Sequence, residues 1–141
     1  MKVLVTGAAG QVGSRLVRQL LAANHEVRGT ILPDDPCAGR IDGLDIETVS
    51  GDLLDGEFVK KSVQNVGAVL HTANLVGDYF QNNVMATFNV TEACADRADE
   101  LIRLVIISSS GVYPNDSHEQ ACAYHPVDEN IQWFEAVREA V

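Results

Sequence analysis

Apolar residues along this chain come in short bursts separated by polar or glycine-rich stretches, and the bursts alternate between two periods. Five are compact runs: Lys2–Thr6, then residues 25–32, 46–49, 67–74 and 104–107, each short enough for a parallel strand and mostly closed by turn or small residues. Between the first two, Val12, Leu16, Val17, Leu20 and Leu21 recur at helical spacing and form one apolar face. Phe58, Val59, Val63 and Val66 do the same before the fourth run, and Phe80, Val84, Phe88, Thr91 and Ala95 mark the stripe of a longer helix before the fifth. Strands alternating with helices predict an α/β fold, and right-handed crossovers give a doubly wound parallel sheet in the order 3-2-1-4-5. The fifth run, Leu104-Val-Ile-Ile107, is the most apolar and is expected to be deeply buried. Asn24 stands where a left-handed helix cap is needed, and Asp55 is read as the N-cap of the second helix.

The first burst breaks into Gly7, Gly10 and Gly13 and then opens a helix. Gly7 allows a sharp reversal, Gly10 lets a ligand approach the backbone, and Gly13 lets the helix pack close to the strand. The N–H groups of Gln11, Val12 and Gly13 then face one spot together with the positive end of the helix dipole, which suits a pyrophosphate without any lysine or arginine. A dinucleotide is the predicted ligand. Neither an acidic residue nor an arginine occupies the end of the second strand, at Ile31 and Leu32. Asp34 and Asp35 lie just beyond for NAD, Arg28 and Arg40 for NADP, and all four also read as plain surface charges, so both cofactors stay open.

Length and charge narrow the partners. At 141 residues the chain is of single-domain size and can bury roughly two-thirds of its unfolded surface. Twenty acidic residues against ten basic ones, a formal charge of −10, argue against nucleic acid or an anionic membrane. No apolar run approaches the roughly 18 residues of a membrane helix, and the cytoplasm is the expected compartment. Cys37, Cys94 and Cys122 show no paired spacing and read as reduced thiols. His118, Cys122 and His125 lie close together but lack supporting partners around them, and no metal is expected.

Several strings then resemble one family. Thr6-Gly-x-x-Gly-x-x-Gly13, the Asp52-Leu53 pair, Val69-Leu-His-Thr-Ala73, the helix with Asn82-Asn-Val, and Ser108-Ser-Ser-Gly-Val-Tyr-Pro114 follow in the order seen in the extended short-chain dehydrogenase/reductase superfamily, the NAD-dependent epimerase/dehydratase family. The resemblance implies a Rossmann-type dinucleotide-binding domain over residues 1–141 and an NAD or NADP cofactor. It implies that Asp52 and Leu53 meet the adenine, that Thr72, Ala73 and Asn74 run beside the pyrophosphate and nicotinamide ribose, and that Asn83 lies near the nicotinamide. Ser109 would be the catalytic-site hydroxyl that binds substrate. Taken from the residues alone, Asp52 is equally a turn residue, Asn83 an ordinary polar side chain, and His71 a strand residue with a satisfied ring.

The pattern departs at its catalytic end. Where the family carries Tyr-x-x-x-Lys, this sequence reads Phe134-Glu-Ala-Val-Arg138, without a phenolic oxygen and with a guanidinium in place of an amine. The favoured expectation is that the 141 residues stop before the true motif, with the C-terminal part of the family fold missing; a degenerate site is the other reading. The implied function is the cofactor-binding part of an epimerase or dehydratase acting on a small-molecule nucleotide sugar. Two alternatives remain: a ketone or aldehyde reductase of the dihydroflavonol-reductase or hydroxysteroid-dehydrogenase type, and a non-catalytic dinucleotide sensor. A homodimer is compatible with each.

Overall fold

The computed structural model describes residues 1–75 and 77–108. Ser109, Tyr113, His118, Cys122, His125, Phe134 and Arg138 fall outside them. Strands β1 (Lys2–Thr6), β2 (Glu26–Ile31), β3 (Glu47–Ser50), β4 (Ala68–His71) and β5 (Arg103–Ile106) form one sheet in the order β3-β2-β1-β4-β5. All four pairings are parallel. Helices α1 (Gly13–Ala22), α2 (Gly56–Ser62) and α3 (Tyr79–Ala95) supply the crossovers, with a 3-10 turn at Ala38–Ile41. The predicted fold class and strand order are those observed, and β1 has the bounds read from the sequence.

Alternation along β1 explains the two layers. Leu4 faces a cluster with Val59, Val63, Val69 and Val90, on the side of α2 and α3. Val5 faces the opposite way, among Ala8, Ala9, Val17 and Val27, on the side of α1. Register places Thr6 beside Thr30 of β2 and beside His71 of β4, so three polar residues stand abreast at the C-terminal edge of the sheet. α1 ends as its sequence suggests: Asn24 adopts φ 60°, and the amides of Asn24 and His25 return to the carbonyls of Leu21 and Leu20. That double closure satisfies carbonyls which the helix end would leave bare.

α2 is short, and side chains secure both of its ends. Asp55 caps the start by accepting from the Glu57 and Phe58 amides at 2.9 and 3.3 Å. At the other end Arg28 of β2 donates to the Ser62 and Gln64 carbonyls at 2.8 and 2.7 Å, and Arg97 donates to the Val63 carbonyl. Arg28 Nε also stands 2.9 Å from a Glu47 oxygen, as a charge contact rather than an aligned hydrogen bond. Lys2 reaches Glu47 at 3.0 Å, and Arg28 first, then Lys2, hold the Glu47 carboxyl below its ordinary value.

Three burial expectations are corrected. The α3 stripe of Phe80, Val84 and Phe88 is exposed, with Phe80 at 79%, while Ala86, Val90, Ala93 and Cys94 face the core. Small residues win that face because α3 lies close to α2 and the sheet, and its inward polar residues have partners of their own, so counting large apolar residues picked the wrong side. β5 is not deeply buried: Val105, Ile106 and Ile107 are exposed, since β5 is the last strand of the sheet among the described residues. Val12 does not join the apolar face of α1; it precedes the helix and is exposed.

Candidate functional site

The glycine turn follows β1 directly. Gly7 has φ +64°, a conformation that side-chain-bearing residues rarely adopt, and its amide and that of Ala8 donate to the Thr30 hydroxyl and carbonyl at 3.3 and 3.0 Å. A Cβ on Gly7 would come within 2.8 Å of Ala73 Cα, and one on Gly13 would overlap the Gly7 carbonyl. Gly10 is different: a Cβ there would meet only the Gly7 carbonyl, at 3.0 Å. Two glycines therefore close the turn against neighbouring backbone, and the third opens outward. Among the described residues the amides of Gln11, Val12 and Gly13 meet no acceptor, and Val12 offers no side-chain cap. These free donors add to the positive end of the α1 dipole.

A cleft of about 490 Å³ lies over this turn, a volume in the range of small-molecule and cofactor sites. Its floor is Gly7, Gly10, Gln11 and Val12. One wall is the end of β2 and its loop, from Thr30 to Leu32 and then Asp35, Pro36 and Cys37. The far end is closed by Gly51 and Leu53 after β3, and the other wall is Thr72, Ala73, Asn74 and Leu75 after β4. The cleft thus sits where the strand order reverses between β1 and β4, the usual crevice of open parallel sheets. The β2 loop enters it by a turn in which the Asp35 amide donates to the Leu32 carbonyl at 3.2 Å and Asp34 takes φ 56°. One Asp35 carboxylate oxygen accepts from the Cys37 amide at 2.8 Å. Asp35 is the charged side chain among the described lining residues. Arg28 is spent on α2 and Glu47, and Arg40, exposed, donates one N–H to the Ala9 carbonyl of the glycine turn at 3.2 Å.

A buried network stands beneath the β4 wall. Thr6 Oγ1 lies 2.8 Å from His71 Nδ1 and accepts from the Thr72 and Ala73 amides at 3.1 and 3.3 Å. His71 Nε2 lies 3.2 Å from Thr87 Oγ1 on α3, and the Thr72 hydroxyl donates to the Thr6 carbonyl at 2.7 Å. Burial of the ring pushes the His71 pKa below the ordinary imidazole value. His71 is thus the strand residue with a satisfied ring that its sequence context suggested.

The sequence-derived site residues fall into three groups. Gly7, Gly10, Gln11, Val12, Leu53, Thr72, Ala73 and Asn74 come together around the cleft. Gly13, Asp52 and Asn83 stand behind it: Gly13 packs on Gly7, Asp52 accepts from the Leu54 amide at 2.9 Å, and Asn83 binds both the amide and the carbonyl of Leu75, at 2.9 and 2.8 Å. Ser109 lies outside the described residues. Sequence reasoning passed over the hydroxyls of Thr6 and Thr30. Their signal was legible: a threonine as the last or next-to-last residue of a buried strand sits at the ligand edge, where a hydroxyl must find partners.

Comparison with known proteins agrees with this geometry. Residues 3–133 match the family model described as the NAD dependent epimerase/dehydratase family. The chain belongs to that family. A 2-alkyl-3-oxoalkanoate reductase from Stenotrophomonas maltophilia is 34% identical over 134 residues, covering 91% of this chain and 37% of the relative. Cinnamoyl-CoA reductase 1 of Petunia hybrida is 35% identical over 118 residues, covering 77% of this chain and 34% of the relative. Among solved structures, a UDP-glucose-4-epimerase from Stenotrophomonas maltophila with bound NAD and formylated UDP-arabinopyranose superposes with a TM-score of 0.76 at 28% identity, covering 95% of this chain and 43% of that one. The chain therefore spans well under half the length of these relatives. As an epimerase/dehydratase-family domain it carries the family's NAD-binding fold, and among the described residues no helix is long and apolar enough to cross a membrane.

Proposed function

We propose that this chain is the NAD-binding portion of a cytoplasmic oxidoreductase that acts on a nucleotide sugar in the manner of an epimerase or dehydratase. The observation that carries the cofactor half of this reading is the cleft at the β1/β4 reversal, whose floor combines an outward-opening Gly10 with the free amides of Gln11 and Val12, followed by the free amide of Gly13 at the start of α1. Those amides hold the pyrophosphate. Leu53, with Asp52 behind it, takes the adenine end, and Thr72, Ala73 and Asn74 take the nicotinamide ribose. Asn83 holds that wall in place through Leu75. The dinucleotide supplies the hydride acceptor or donor; the chain's residues bind it, orient it and exclude water from one side. Ser109 orients the substrate hydroxyl.

NAD is preferred over NADP in this reading. A 2′-phosphate adds roughly −1.5 to −2 charges, and the wall it would meet presents the Asp35 carboxylate, while Arg28 is bonded to the end of α2 and neither Arg28 nor Arg40 is among the described lining residues. The cytoplasmic assignment rests on the unpaired thiols of Cys37 and Cys94. A second reading, reduction of a ketone or aldehyde, is favoured by the two reductases at 34% and 35% identity. The test is titration calorimetry with NAD. Gly10→Val puts a branched side chain into the floor and is expected to weaken binding at least tenfold with the circular dichroism spectrum retained; unchanged affinity removes the assignment. Turnover of ketones but not of nucleotide sugars by the protein that carries this domain favours the reductase reading.

A further inference from the structure

We propose that His71 is a positioning residue for dinucleotide binding: as the neutral tautomer protonated at Nε2, it fixes the Thr6 hydroxyl that holds the cleft wall formed by Thr72 and Ala73. The inference rests on the NAD-binding reading above. It follows from counting protons. A threonine hydroxyl has one hydrogen and two acceptor lone pairs. Thr6 Oγ1 faces two backbone amides, of Thr72 at 3.1 Å and Ala73 at 3.3 Å, and an amide can only donate. Both lone pairs are therefore engaged, and the single O–H is left to donate. Its remaining partner is His71 Nδ1 at 2.8 Å. Nδ1 must then be the bare, accepting nitrogen, and the ring proton sits on Nε2, from which it donates to Thr87 Oγ1 at 3.2 Å.

The chain of contacts runs from a helix to the glycine turn. Thr87 on α3 orients the ring of His71, His71 orients the Thr6 hydroxyl, and Thr6 holds two consecutive amides at the point where β4 stops being a strand. Ala73, the second of these, is the residue against which Gly7 packs without room for a Cβ. One oxygen atom thus ties the start of the β4 wall to the end of β1, next to the glycine floor. Thr6 is 1% and His71 4% exposed, so no water replaces a lost partner. His71 touches no ligand in this scheme. It decides which way a hydroxyl points, and the hydroxyl decides where the wall stands.

The first test is independent of binding. A two-bond ¹H–¹⁵N correlation spectrum of the folded protein distinguishes the tautomers of His71; the Nε2–H form is expected near neutral pH, and the Nδ1–H or charged form overturns the proposal. The second is NAD affinity of His71→Asn and His71→Leu. An asparagine amide oxygen occupies the position of Nδ1 and accepts from Thr6, so His71→Asn is expected to keep Kd within about threefold. His71→Leu has no acceptor and is expected to raise Kd about tenfold, the cost of one buried hydrogen bond of about 1.4 kcal/mol. Wild-type affinity in a folded His71→Leu protein, or equal losses in both variants, refutes the positioning role. If wild type itself binds no NAD, the proposed function fails instead, and the tautomer measurement still decides the role of His71. If His71→Leu does not fold, the tautomer and His71→Asn carry the decision.

Discussion

Gly13→Ala tests the packing of the glycine turn beneath the cleft. A Cβ at residue 13 would overlap the Gly7 carbonyl and come within 3.0 Å of Ala8 Cα, both backbone atoms of a turn with no slack. The start of α1 must back away by roughly 1 Å, loosening Val17 from the cluster with Val5, Ala8 and Val27. Overpacking of this kind costs about 1–3 kcal/mol, and the rigid target puts it near the upper end. Replacing glycine by alanine at a helical position returns roughly 0.5–1 kcal/mol of backbone entropy. The net loss is about 2 kcal/mol, and for a chain of 141 residues each kcal/mol lowers Tm by roughly 3–4 °C. A fall of about 7 °C is therefore expected in thermal denaturation followed by circular dichroism. Gly39→Ala is the control, since the nearest atom to its added Cβ is the end of the Asp42 side chain at 3.7 Å. It should shift stability by less than about 0.5 kcal/mol. A Gly13→Ala protein as stable as Gly39→Ala would refute the argument that close helix–turn contact forces glycine at 13.

The remaining expectations concern charge. Asp35→Asn should narrow the preference for NAD over NADP by about fivefold or more, since one contact-range charge pair in water is worth about 1 kcal/mol; a ratio of the two Kd values unchanged by the substitution removes Asp35 from cofactor selection. Arg28 and Lys2 depress the Glu47 pKa, so its contribution to stability is fully present above the ordinary value of 4.5 and is lost as pH falls through the lower folded value. The Glu47 side chain is 42% exposed, and Glu47→Gln should cost under about 1 kcal/mol at neutral pH. The gap between the two proteins in urea melts should narrow as pH falls below 4.5 toward the lower folded value, and a gap that does not change with pH contradicts the pairing.

The strands, their order and the glycine turn were legible because each has a local cause: short β-branched runs, polar closing residues, and a spacing in which every glycine has a mechanical task. Asn24 and Asp55 were legible for the same reason, as caps are decided by one residue and its nearest backbone. α3 was not, because the side that faces the core depends on how near its neighbours stand. Ala86 and Val90 fit there and Phe88 does not, a fact of interhelical distance rather than of pattern. The Thr6–His71–Thr87 network was also hidden, since its members are 65 and 16 residues apart along the chain. Asp35 could be named as a candidate but not placed until the turn at Asp34 was known.

α2 has seven residues, too few to persist as an isolated helix in water. It is retained by its Asp55 cap and by arginines arriving from β2 and from beyond α3, while Asn89 of α3 grips the Leu53 and Leu54 carbonyls just before it. Leu53 is at once the approach to α2 and the far wall of the cleft. Any local opening that frays α2 also dismantles the far end of the cleft, so under the proposed function, which seats the adenine there, helix and ligand share one free energy. Dinucleotide that binds only the closed form must slow amide hydrogen exchange in α2, and to the same degree every tie that steadies α2 tightens the dinucleotide.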